Sequence, residues 1–203
     1  MKTLTKTVFA VALTAVVLTS SAMTTFAAEP VVAKETVASS EGFNKIWVSG
    51  NVKIVLTQGD KQSVVGMSNY DAAKTSVLTN GQTLYVNSTE SGMVTLNVTV
   101  KDLQRVEAYG QSIVVTSNNF DVKNLQVLLN QSATAKIETT TGSLYTVVKD
   151  EAVLKLKGSA DKSTMIAGNM KNVKVNNFAS LRSESYASEA MMAKDFSVSS
   201  LSK

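Results

Sequence analysis

Alternating apolar and polar residues dominate the chain from Phe43 to about residue 100 and predict β-strands. The clearest case is Val94–Val100 (VTLNVTV), whose strict alternation is typical of a half-buried strand. Two further β-type runs, 45–48 and 52–56, lie on either side of Ser49-Gly50-Asn51, and we interpret this sequence as a hairpin turn. Further turns are predicted at 58–61 and at Asn80-Gly81. The only helix-compatible segment is 188–196, so the pattern predicts an all-β fold.

The second half of the chain repeats with a period of about 19 residues. The aligned segments begin at positions 110, 130, 149, 168 and 185, so successive spacings are 20, 19, 19 and 17. The alignment gives three columns of residues that are predicted to face inward. The first column is Val115, Ala135, Leu154 and Val173, and the second, two residues later, is Ser117, Ile137, Leu156 and Val175. The third column comes from a preceding strand and contains Leu129, Val148 and Ala167. Val114 is then predicted to face outward.

Apolar columns at this period predict a β-solenoid, in which each repeat buries its inward side chains against the repeats above and below. An antiparallel sandwich is the alternative, because it also has strands every 8–12 residues or so. We favour the β-solenoid because whole repeats align, and we expect the N-terminal hairpins to cap or extend one end of it. A polar tail after Leu181 is the candidate cover for the other end, since open sheet edges invite aggregation.

The N-terminus has the pattern of a secretory signal peptide. Lys2 and Lys6 precede an apolar run from Val8 to Leu18, and cleavage after Ala27 would place small residues where signal peptidase requires them. A membrane anchor is the alternative, but the run is shorter than the roughly 20 residues a span needs. We therefore expect a signal peptide at 1–27, a flexible leader at 28–41, one domain at 42–196 and a polar tail at 197–203. The mature protein is predicted to lack a transmembrane segment and to reside in the periplasm, outside the cell or on its surface.

Composition removes several classes of function. The 203 residues include neither His nor Cys, which excludes His/Cys zinc sites, disulfides, Ser-His-Asp triads and cysteine nucleophiles. Removing residues 1–27 takes away two lysines and no acids, so the net charge falls from +4 to +2 (18 basic minus 16 acidic residues). This small charge gives little support for a nucleic-acid partner. The residues predict no cofactor, metal or catalytic group, because the carboxylates of the repeats do not pair in columns.

Lysines form the one polar column of the repeats. Lys136, Lys155 and Lys174 are each 19 residues apart and fall between the two inward-facing columns. They are predicted to face outward, one per repeat and roughly 5 Å apart. One interpretation is a solvated face that prevents edge aggregation, with Glu138 offsetting part of the charge. The other is a contact strip for an anionic polymer such as a surface polysaccharide or lipopolysaccharide.

The spacing of the first strands resembles a known family. The pattern Phe43-x-x-Ile46-x-Val48-x-Gly50-x-Val52-x-Ile54-x-Leu56-x-Gln58-Gly59 is similar to the opening of the putative auto-transporter adhesin, head GIN domain family. Asn80-Gly81-x-x-Leu84-x-Val86 resembles its next strand, and Val98-x-Val100-x-x-Leu103-x-x-Val106-x-x-x-Gly110 the entry to its repeats. The resemblance covers about residues 42–176, whereas the glycine-rich closing repeat of the family is absent.

The resemblance implies an exported bacterial protein with a β-solenoid-like fold and short polar turns, and it supplies no catalytic residues. We therefore expect a non-enzymatic adhesion or binding module that contacts anionic surface glycans. A structural protein of the envelope that stacks end to end is the alternative, and a polysaccharide-active enzyme is a more remote one. The oligomeric state is not encoded in any pattern of the sequence.

Overall fold

Strands make up most of the computed structural model, which describes residues 35–38, 42–67, 69–188 and 190–191. The fold is all-β, as predicted, and 13 strands join in one curled sheet. A turn of 3-10 helix, Met170–Asn172, precedes the last strand. The predicted signal peptide (1–27) and polar tail (197–203) lie outside the described residues. The strands are β1 (Glu35–Ala38), β2 (Lys45–Gly50), β3 (Val52–Gln58), β4 (Ser63–Gly66), β5 (Thr75–Asn80), β6 (Thr83–Ser88), β7 (Val94–Val100), β8 (Arg105–Ala108), β9 (Ile113–Thr116), β10 (Phe120–Leu129), β11 (Thr134–Val148), β12 (Val153–Ala167) and β13 (Val173–Tyr186).

Long parallel strands form the second half of the sheet. Strand β10 pairs with β11, β11 with β12 and β12 with β13, and most paired residues are 19 apart in the chain. Ala135 pairs with Leu154 and Leu154 with Val173, while Leu129, Val148 and Ala167 form another row of partners. All of these side chains are buried. The alignment of the repeats is therefore confirmed at these positions.

The register predicted for the first repeat is wrong by one residue. Val114, not Val115, pairs with Ala135, and Val114 is fully buried whereas Val115 is not. Ser117 is exposed and does not belong to the second column. The alignment matched Gln111-Ser112 to Gln131-Ser132, but this likeness of residues is accidental, because strands β9 and β11 pair residues that are 21 apart.

Backbone conformation at the turns explains this register. Gly110, Gln131 and Asp150 have positive φ angles of 67°, 58° and 55°, so they occupy equivalent places in successive turns. The Gln131 side chain accepts a hydrogen bond from the Gly110 N–H at 2.7 Å, and the Asp150 carboxylate accepts one from the Gln131 N–H at 2.9 Å. Each turn therefore binds the turn before it through a side-chain oxygen. The alignment of sequence letters had instead matched Gly110 with Asn130.

The predicted hairpin at Ser49-Gly50-Asn51 is also wrong. Strand β2 pairs in parallel with β6 and β8, and β3 pairs in parallel with β7 and β9, so β2 and β3 do not pair with each other. Gly50 has a φ of 89°, and a Cβ there would lie 2.1 Å from the Ser88 carbonyl oxygen. The turn thus connects two strands that do not pair with each other, each of which pairs in parallel with its own two neighbours. The turn at Asn80-Gly81 is a true hairpin, since β5 and β6 are antiparallel.

The two ends of the domain differ from expectation. Part of the segment expected to be a flexible leader, 28–41, forms β1, which pairs antiparallel with the edge strand β4 because β4 offers unpaired backbone groups on that side. The repeat predicted to begin at 185 does not continue the period, since β13 ends at Tyr186 and Ile166 pairs with Tyr186, 20 residues away. Of the helix predicted at 188–196, Ala190 and Met191 are helical and Ser188 is a bend, whereas residues 189 and 192–196 lie outside the described residues.

Candidate binding surface

Three lysines form one continuous row on the outer side of the sheet. Lys136 pairs with Lys155 and Lys155 with Lys174 in the parallel register of β11, β12 and β13. All three are exposed, because each follows a buried residue of the Ala135, Leu154 and Val173 row and points to the opposite side of the pleat. We call these three residues the lysine strip. Neighbouring members are attached to strands about 4.8 Å apart.

The charge of the lysine strip is not neutralised within the described residues. None of its members makes an ion pair or hydrogen bond there. Glu138, expected to offset part of the charge, instead faces Lys157 two residues further along the strands. The Lys157 ammonium lies 3.1 Å from both carboxylate oxygens of Glu138. The row beside the strip is therefore balanced, and the strip keeps its three positive charges.

A shallow depression of about 220 Å³ adjoins the strip. Its lining includes Lys136, Lys155, Glu138 and Lys157. The row of the strip continues on the neighbouring strands as Val115 and then Val55, which are uncharged. Within this row the positive charge is thus confined to the three strands β11 to β13.

The adjacent carboxylates of the repeats, Asp150 and Glu151, are exposed in a turn, and Asp150 accepts a hydrogen bond from the backbone of the neighbouring turn. Within the described residues, no three Asp, Glu, His or Cys side chains lie close enough together to hold a metal ion. The ammonium groups that the lysine strip brings together on this face can bind anions.

An aromatic cluster that no sequence pattern predicted lies on the outer face of β2 and its neighbours. Trp47 pairs with Tyr85 on β6, and the ring centroids of the two side chains are 6.0 Å apart. Tyr109, just after β8, has its ring 5.4 Å from Trp47. The available signal was local: Trp47 and Tyr85 each stand between two aliphatic residues of a strand, in the outward position. It was missed because nothing in the sequence shows that β2 and β6, separated by three other strands in the chain, are neighbours in the sheet.

The single curled sheet of strands defines the class of this protein as all-β, and comparison with known proteins defines the family. The model of the family described as "Putative auto-transporter adhesin, head GIN domain" matches residues 42–188. The chain therefore belongs to this family.

Solved structures with the same fold come from Bacteroides and Parabacteroides species. A "putative adhesin" from Bacteroides fragilis NCTC 9343 is 15% identical, with a TM-score of 0.62 over 77% of this chain and 76% of that one. A "putative adhesin" from Parabacteroides distasonis ATCC 8503 is 13% identical, with a TM-score of 0.55 over 76% of each chain. A "putative lipid binding protein" from the same strain is 12% identical, with a TM-score of 0.53 over 76% of this chain and 77% of that one. At these identities the likeness concerns the fold alone.

No curated protein matches the chain. Among the described residues, no helix combines the length and the apolar character needed to cross a membrane.

Proposed function

We propose that this protein is an exported, non-enzymatic adhesion module with a β-solenoid fold, and that its lysine strip binds an anionic surface polysaccharide. The pairing of residues 19 apart in β10 to β13 supports the β-solenoid, because each repeat returns to the sheet beside the previous one. The family description supports adhesion. The N-terminal pattern with cleavage after Ala27 supports export, and the intact mass of the exported protein checks the cleavage site.

The observation that carries this proposal is the row of three exposed lysines, which have no acidic partner among the residues that the structure describes. Two unit charges 5 Å apart in water repel by about 0.8 kcal/mol, so neighbouring lysines of the strip disfavour each other mildly. A polymer with negative charges at regular intervals removes this repulsion and adds attraction at each lysine. A single small anion gains from only one or two of them. The arrangement therefore favours a polyanion over an isolated anionic group.

A pair of matched polymers tests the proposal. Polygalacturonate and its methyl ester share one backbone, but only the first is charged. We expect the mature protein to bind polygalacturonate and to bind the ester weakly. The triple variant Lys136→Gln, Lys155→Gln, Lys174→Gln should lose most of this preference and keep its circular dichroism spectrum.

A control variant separates the strip from net charge. Lys61, Lys101 and Lys123 are exposed lysines outside the strip, and replacing all three by Gln removes the same charge. This control should bind like the parent protein. Equal loss of binding in both triple variants would show that net charge alone is responsible and would contradict the proposal.

The edge strand β13 favours a second candidate function, end-to-end stacking in the cell envelope. Within the described residues β13 pairs only with β12, so its other side presents a strand of 14 residues for further pairing. Leu181 on this strand is 83% exposed. Stacking predicts a molar mass that rises with concentration in light scattering and that Leu181→Lys returns to the monomer value. A constant monomer mass would eliminate this candidate.

A further inference from the structure

We propose that Trp47, Tyr85 and Tyr109 form an aromatic platform that stacks against a pyranose ring of an oligosaccharide, at a site separate from the lysine strip. The platform lies on β2, β6 and the turn after β8, whereas the strip lies on β11 to β13. The two sites therefore use different strands and different chemistry. The inference does not depend on the lysine strip.

The first argument is the presentation of the rings. Trp47 is held between Tyr85 and Tyr109, with interplanar angles of 44° and 36°. Tyr85 is 40% exposed, and Trp47 and Tyr109 are half-buried, so this aromatic surface remains in contact with solvent. Fixed aromatic rings pack well against the C–H groups on the face of a pyranose, because the electron-rich ring face attracts their partial positive charge.

The second argument is the polar side chain network that borders the rings. The Arg105 guanidinium donates hydrogen bonds to Gln126 at 2.8 Å and to Glu107 at 3.0 Å. Glu107 also accepts a hydrogen bond from the Tyr109 hydroxyl at 3.4 Å. This chain of contacts fixes the orientation of Arg105 relative to the platform. Since a guanidinium has five N–H donors, Arg105 retains donors for a ligand.

The third argument is the adjoining depression of about 380 Å³. Arg105 and Gln126 belong to its lining, together with Asp102 and Asn124. These groups offer both donors and acceptors, which is what the hydroxyls of a sugar require. Lys45, two residues before Trp47 on β2, also lines the depression, so the polar groups and the rings lie on one outer face. An aromatic surface beside a mixed donor and acceptor pocket fits a sugar better than a purely apolar ligand.

The single tryptophan of the chain makes this site directly observable. Trp47 is the only tryptophan, so the intrinsic tryptophan emission of the protein reports on the platform alone. Cello-oligosaccharides, fully N-acetylated chito-oligosaccharides and neutral mannan oligosaccharides serve as probes, because they are uncharged and the lysine strip contributes nothing to their binding. We expect at least one of them, at millimolar concentration, to change the emission saturably and to protect Trp47 from quenching by acrylamide.

Two substitutions at one residue test for stacking. Tyr85→Leu keeps an apolar side chain but removes the ring, and it should weaken binding of the responding probe about tenfold. Tyr85→Phe keeps the ring and should bind like the parent protein. The triple glutamine variant of the lysine strip should also bind this probe normally. The proposal for the aromatic platform is therefore tested independently of the proposal for the lysine strip.

Three results would overturn the proposal. The first is that none of the three probes changes the emission or the quenching. The second is that Tyr85→Leu, with an unchanged circular dichroism spectrum, binds as well as the parent protein. The third is that the emission changes with protein concentration alone and in parallel with the molar mass, which would show that the platform contacts a second copy of the chain.

Discussion

Replacing Leu154 by alanine tests the inward register of the central repeats. Leu154 is fully buried, and its partners in the neighbouring strands are Ala135 and Val173. The substitution removes three carbons from the core, which costs about 2.4 kcal/mol at about 0.8 kcal/mol for each buried carbon. The methyl group of Ala135 cannot reach the space that is left, and the β-branched Val173 has a restricted side-chain torsion. A cavity therefore remains and adds about 1–2 kcal/mol.

The expected loss in the free energy of unfolding is thus about 3.5–4.5 kcal/mol. Urea unfolding followed by circular dichroism measures it, and with a slope of about 2 kcal/mol/M the midpoint should fall by about 1.7–2.2 M. Lys155→Ala is the matched control, because Lys155 is the next residue and faces outward, and it should cost less than about 0.5 kcal/mol. A loss below about 1 kcal/mol for Leu154→Ala, or equal losses for the two variants, would refute the register.

Three further predictions concern the first repeat, a turn and a tyrosine. Val114→Ala should destabilise the protein clearly more than Val115→Ala in thermal unfolding, because only Val114 of the two is fully buried. The reverse order would contradict the observed register and support the one expected from the sequence. Gly158→Ala should lower the free energy of unfolding by about 2 kcal/mol or more, because φ is 106° and a Cβ would lie 2.0 Å from the Thr139 carbonyl oxygen. Gly168→Ala is the control: no atom lies within 4 Å of its Cβ position, so it should be nearly neutral in the same assay. Burial, with the nearby Glu107 carboxylate, raises the pKa of Tyr109 above its usual value of 10.0, so neutral Tyr109 contributes stability below pH 10 that is lost as the pH rises through the raised pKa. An absorbance titration should show a late-titrating component that Tyr109→Phe removes, and a titration with the same late component in both proteins would contradict this.

The sequence predicts the strands well where apolar residues recur in columns. Leu154 and its partners are recognisable because a residue that is buried between two repeats must be apolar in each of them. The lysine strip is predictable for the same reason, since its members follow those residues and must point outward.

Local patterns fail where distant contacts decide the structure. Ser49-Gly50-Asn51 has the residues of a hairpin, but β2 and β3 each gain two parallel neighbours, and this pairing overrides the local preference for a hairpin. Gln131 and Asp150 adopt positive φ without being glycine, so their equivalence to Gly110 is invisible in the letters. The aromatic platform depends on the order of strands in the sheet, which no local pattern encodes.

The dependence of polygalacturonate binding on salt tests the central claim most directly. Electrostatic contacts weaken with salt because the screening length falls from about 10 Å at 0.1 M to about 3 Å at 1 M. If the lysine strip binds the polymer, the affinity of the parent protein falls steeply with salt, while the triple glutamine variant of Lys136, Lys155 and Lys174 binds weakly at low salt and changes little. A triple variant with the parent's low-salt affinity and the parent's salt dependence would contradict the claim and leave the strip as a solvated face.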